Sequence, residues 1–149
     1  MTKMSRMKNS IQHSINEAKR ALQQLESDTA VSFIESVALL LSEVLDRRSK
    51  ILIAGNGGSL CDAMHFAEEF TGRYKNDRKP IPAVAISDPS YITCTANDYG
   101  FDQIFSRYVE GVGKENDVLL AISTSGNSQN VINAAKVAKA KIAKAMRDN

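Results

Sequence analysis

At 149 residues, with 43% apolar and 24% charged residues and a net charge of +2, the chain fits one globular domain with room for a core. No apolar run approaches the ~20 residues that cross a bilayer, and the N-terminus MTKMSRMKNS lacks the apolar centre of a signal peptide. Cys61 and Cys94 are too few for a disulfide scaffold and are not spaced as a metal knuckle, so a cytoplasmic protein is expected.

Met4, Met7, Ile11, Ile15, Ala18, Leu22 and Leu25 recur at three- and four-residue steps and predict an amphipathic helix with a narrow apolar seam. Ser27 or Asp28 caps a second helix over Thr29 to Leu45, whose apolar stripe is broader. Residues 1–48 therefore read as a helical hairpin, and the narrow seam of its first helix suits packing against a second subunit. Residues 49–149 form a second part. Ile51 to Ala54 is a continuous apolar run suited to a strand buried on both faces, and a glycine loop and a helix follow it. Gly72 to Pro82 is a polar, basic surface loop. Ala83 to Ile86 is the next strand, and residues 87–90 turn the chain. A polar cluster from Thr93 to Asp98 precedes a helix over Phe101 to Val112. Val118 to Ile122 is the third strand, and it leads through a serine-rich loop into a final Ala/Lys-rich helix.

Strands separated by helices imply parallel βαβ units with right-handed crossovers, hence a three-layer αβα sandwich. In the flavodoxin-like order the first and third strands are neighbours, and residues 55–59 and 123–128 then face each other across one crevice. From Ala134 to Asn149 five Lys or Arg stand against one Asp, a local +4, but no aromatics interleave. This reads as a solvated helix end, so neither nucleic acid nor membrane is expected as a partner.

Ser123, Thr124, Ser125 and Ser128 place four hydroxyls at a helix N-terminus, more than a cap needs, and favour a phosphate. The lysine of a nucleoside-triphosphate loop is missing from this stretch. The glycine loop is a poor dinucleotide fingerprint, because Leu60 stands where the third glycine belongs and Asp88 is over thirty residues on. A nicotinamide oxidoreductase is thus the weakest reading. His65 and Glu69, four residues apart, fit two ligands of one metal ion or a base beside its partner, while Glu68 is read as pointing elsewhere. Asn97 and Asp98 suit helix capping or ligand contact equally.

Through AGNGGS, CDAMHFAEEFTGRY, ANDYGF, IFSRYVE and DVLLAISTSGNSQNVI, the stretch from about Ile51 to Ala138 resembles the sugar isomerase (SIS) domain superfamily and, within it, the phosphoheptose isomerase family. The resemblance implies substrate contacts from Asn56, Gly57, Gly58, Asn97 and Asp98, and a phosphate held by Ser123, Thr124, Ser125 and Ser128. It implies zinc on His65 and Glu69, with Glu69 also moving a substrate proton. The implied reaction converts sedoheptulose 7-phosphate to D-glycero-D-manno-heptose 7-phosphate, towards the heptoses of bacterial lipopolysaccharide, in a homotetramer with sites between subunits. A related SIS protein that assists the replication initiator lacks the carboxylate at Glu69. The alternative is accordingly a non-catalytic SIS module that binds a sugar phosphate or scaffolds a partner.

The family continues past the third βα unit with two further strands and a closing helix carrying a glutamine and a second histidine. No histidine follows His65 here. The expectation is a domain without its C-terminal strands, with activity and zinc affinity below those of the family.

Overall fold

A computed structural model of the protein describes residues 2–145, and the end of the basic terminal stretch, residues 146–149, lies outside the described residues. The N-terminal periodicity becomes α1 (Lys3–Leu25), opened by the Thr2 hydroxyl, which accepts from the Ser5 N–H at 3.3 Å. Of the two cap candidates for α2 (Asp28–Asp46), Ser27 does the work, accepting from the Ala30 N–H at 3.3 Å. Two compact units result, Met1–Leu40 and Leu41–Asn149, the division falling within α2. In the first, α1 buries none of its residues.

The second unit is built on β1 (Ile51–Gly55), every residue of which is buried. It pairs in parallel with β2 (Ala83–Ala85) on one side and β3 (Val118–Ile122) on the other, in the order β2-β1-β3 expected for a flavodoxin-like sheet. From β1 the chain winds outward through α3 (Gly58–Thr71) to β2, then back across β1 to β3. Because right-handed crossovers taken in opposite directions put their helices on opposite faces, α3 covers one face and the β2-to-β3 connection the other. Side chains alternate along β1. Leu52 and Ala54 join Ile86, Ile104, Phe105, Val109, Val131 and Ala134 in one core, leaving Ile51 and Ile53 to the α3 face. Fully burying each such Ile, Leu or Phe is worth about 1.5–3 kcal/mol.

One helix escaped the sequence reading. The cluster Thr93–Asp98 is not an irregular approach to a helix but the second half of α4 (Pro89–Tyr99). Asp88 caps it by accepting from the Tyr91 N–H at 2.7 Å, and Pro89 occupies its first turn. Hydrogen bonds from the Ser90 hydroxyl and the Tyr91 N–H hold the Asp88 carboxyl below its usual range. Packing overrides the weak helix propensity of this segment: Tyr91, Ile92 and Ala96 lie against the core, and the Tyr91 hydroxyl donates to the Ile104 carbonyl at 2.9 Å. Gly100 ends α4, and the expected Phe101–Val112 helix begins as a 3-10 turn (Phe101–Gln103) before α5 (Ile104–Val112). The final helix is α6 (Gln129–Ala145).

Polar contacts fix the ends of these elements. Asp117, just before β3, accepts from the Lys50 N–H at 2.9 Å and from the Lys114 N–H at 2.7 Å, and pairs with the Lys50 ammonium. In the loop 72–82 the Arg78 guanidinium turns back onto the C-terminal end of α3, donating to the carbonyls of Glu69 and Phe70. Among the described residues no helix is long and apolar enough to cross a membrane.

Candidate functional site

Register sets the first half of the site. Gly55 pairs with Ile122, so β1 and β3 end level and their following loops start side by side. The glycine loop proves shorter than expected, since Gly58 and Ser59 already belong to the first turn of α3. Gly57 turns the chain with φ 56°, and Gly126 does so in the serine loop with φ 67°, a left-handed region that side-chain-bearing residues avoid.

Within the serine loop the hydroxyls organise the backbone. Ser123 Oγ accepts from the Gly126 N–H at 3.1 Å and lies 3.5 Å from Ser128 Oγ, and Ser125 Oγ accepts from the Asn127 N–H at 3.2 Å. Thr124 and Ser125 stay exposed. Hydroxyls and N–H groups thus collect before α6, where the helix dipole favours an anion.

The two loops are joined by a contact the sequence did not disclose. Asn56 and Asn130 exchange two hydrogen bonds of 2.9 Å, from Nδ2 of each to Oδ1 of the other. Asn130 is only 2% exposed. The one available signal was an asparagine four residues before Ala134, on the buried stripe of α6.

The second half of the site lies further along α3. His65 Nε2 is 3.3 Å from Glu69 Oε1, the histidine side chain largely exposed and the glutamate 29% exposed. Glu68, expected to point elsewhere on the helix, is exposed but lies close to the pair. One ligand atom from each of His65, Glu68 and Glu69 lies within 4.8 Å of the others. An imidazole nitrogen and two carboxylate oxygens are donors of the kind a divalent metal such as zinc accepts. Asp62, His65, Phe66, Glu69, Phe70 and Tyr74 line an open cleft of about 410 Å³, with the Phe66 and Phe70 rings stacked at 4.4 Å.

Asn97 and Asp98 sit near the end of α4 and bond locally. Asn97 Nδ2 donates to Asp98 Oδ1 at 2.8 Å, and the Cys94 thiol donates to Asp98 Oδ2 at 3.5 Å. That hydrogen bond and the charge of Asp98 push the Cys94 thiol pKa up.

Against known proteins, residues 13–145 match the family model described as SIS domain. The phosphoheptose isomerase of Edwardsiella ictaluri is 54% identical over 132 residues, which cover 88% of this chain and 68% of that protein. The chain belongs to the SIS-domain phosphoheptose isomerase family. That is a family of isomerases, and the Yersinia enterocolitica member is likewise 54% identical over the same shares of both chains. Among solved structures, the phosphoheptose isomerase of Neisseria gonorrhoeae superposes with a TM-score of 0.80 at 40% identity, covering 91% of this chain and 71% of that one. The Francisella tularensis structure gives 0.79 at 31% identity, covering 95% and 72%. The parallel sheet with its flanking helices is therefore the SIS fold.

Proposed function

We propose that this sugar-phosphate isomerase interconverts sedoheptulose 7-phosphate and D-glycero-D-manno-heptose 7-phosphate in the cytoplasm, towards the heptoses of bacterial lipopolysaccharide. The observation that carries the reading is that one helix, α3, starts in the glycine loop beside the serine loop and bears the His65–Glu69 pair.

The serine loop takes the phosphate through Ser123, Thr124, Ser125 and Ser128, and Asn56, Gly57 and Gly58 line the path of the sugar. Asn97 and Asp98 supply further polar contacts. Moving the carbonyl from C2 to C1 requires a base to take a proton from the carbon beside it, giving an enediol, and an acid to return one to the other carbon. Glu69 is that base. His65 and Glu69 would hold a zinc ion, which when bound would supply positive charge to offset the negative charge that grows on oxygen as the proton leaves.

One feature supports a homotetramer with sites shared between subunits, in which residues 1–48 are the assembly element and residues 49–149 the SIS domain. Met7, Ile11, Ile15 and Leu22 of the α1 seam are exposed.

Glu69→Gln tests the chemistry. With sedoheptulose 7-phosphate as substrate, turnover is expected to fall by about 10³-fold or more while inorganic phosphate still binds. Unchanged turnover would remove Glu69 from the reaction. Phosphate binding in a chain that never turns over heptose phosphate would leave a sugar-phosphate-binding module.

A further inference from the structure

The carboxamides of Asn56 and Asn130 form a closed pair beside the two loops. Asn56 follows β1 directly, and Asn130 lies in the first turn of α6, 74 residues later. Each donates to the other at 2.9 Å, and Asn130 Oδ1 also accepts from the Val131 N–H at 2.9 Å. A buried amide on an otherwise apolar stripe is costly unless bonded. Valine or alanine would fill the same position without that penalty, so packing alone does not explain an asparagine there.

What the pair spans is informative. The chain leaves β1 and β3 at the same level and then turns at Gly57 and Gly126, the positions in the two loops with positive φ. Glycine backbone moves most easily, so without a cross-tie the two loops would drift apart independently. The amide pair closes a ring from β1 through Asn56 and Asn130 to α6, the serine loop and β3.

We propose that Asn130 is a positioning residue for the anion: through Asn56 it holds the glycine loop and the serine loop at one fixed separation, so that the N–H and hydroxyl donors are arranged before phosphate arrives. The Asn56 side chain is the other half of this tie, at the point where the glycine loop lines the path of the sugar. Preformed donors bind an anion more tightly because no ordering is left to be done on binding. The inference rests on the serine loop being the phosphate site, and its test separates the two ideas.

The experiment uses the full chain and two readouts: calorimetric titration with inorganic phosphate, and hydrogen exchange at the backbone amides of residues 124–127. Asn56→Ala and Asn130→Ala are each expected to weaken phosphate binding about tenfold, and the double variant by the same factor, because one interaction is lost in all three. Losses that multiply to about a hundredfold would overturn the proposal, since Asn56 would then touch the anion itself. Asn56→Ala should also speed exchange in the serine loop, which it does not neighbour in sequence, and unchanged exchange there would overturn the tie. If the wild-type protein takes up no phosphate, the phosphate reading fails and exchange alone decides whether the loops are coupled. Should Asn130→Ala fail to fold, Asn56→Ala, at a half-buried position, keeps both readouts available.

Discussion

Lys50 and Asp117, 67 residues apart, are joined twice where β1 and β3 begin: the Lys50 N–H and the Lys50 ammonium both donate to the one carboxylate. The Asp117 side chain is 7% exposed and the Lys50 side chain 20%. Burial raises the Asp117 pKa, but the hydrogen bonds from Lys50 and Lys114 and the Lys50 charge outweigh it and hold the carboxyl below its usual range. A folded pKa below the unfolded value of about 3.9 contributes stability that is complete above that pH and is lost as pH falls through the folded value. Asp117→Ala should cost about 3 kcal/mol in urea unfolding at pH 7, and the gap to wild type should narrow below about pH 4. A gap that widens on acidification would contradict the sign.

Metal affinity should depend on three residues of α3. His65→Ala and Glu69→Gln are each expected to weaken zinc binding about 100-fold in competition with a chromophoric chelator. Glu68→Gln is the informative case, because only the folded helix groups Glu68 with the other two. A loss comparable to that of Glu69→Gln would make Glu68 a ligand, and no loss would leave it as solvent-facing charge.

Arg78 braces the end of α3 that carries Glu69. Its guanidinium donates to the Phe70 carbonyl at 2.9 Å and the Lys79 carbonyl at 3.1 Å, and lies 5.9 Å from the Phe70 ring centre. Arg78→Ala should lower stability by about 1.5 kcal/mol in thermal or urea unfolding. Arg78→Lys should recover less than half of that, because an ammonium cannot reproduce the planar fork.

The two exposed thiols should differ in reactivity. Asp98 raises the Cys94 pKa, so less thiolate is present at a given pH. Cys94 should therefore react slowly with iodoacetamide at pH 8, and Asp98→Asn should speed its alkylation, followed by peptide mass spectrometry. Cys61 in the same variant is the internal control.

What could be read from the chain follows the range of the interactions involved. The three strands were legible because Ile51–Ala54, Ala83–Ile86 and Val118–Ile122 are continuous apolar runs, although only β1 is buried along its whole length; their order came from the flavodoxin-like pattern and not from the runs. The helix α4 was not, since its Thr, Cys and Asn residues are weak helix formers and the contacts of Tyr91 and Ile92 that stabilise it come from elsewhere in the fold. At the site, the loops and the His65–Glu69 spacing were local signals. Glu68 was recoverable in principle, because positions three apart also share a helix face. Asn130 was out of reach as a partner of Asn56: nothing near residue 56 specifies a contact 74 residues away.

The position of β1 decides where this molecule can move. Its five residues are all buried and paired with β3, and Ile51, Leu52 and Ile53 are paired with β2 as well, so its amides should be among the slowest of the described residues to exchange with solvent. The glycine loop and the serine loop leave the sheet at its far end, after β1 and β3. Opening there breaks the Asn56–Asn130 pair but none of the β1 pairings, so local opening and overall unfolding are separate events.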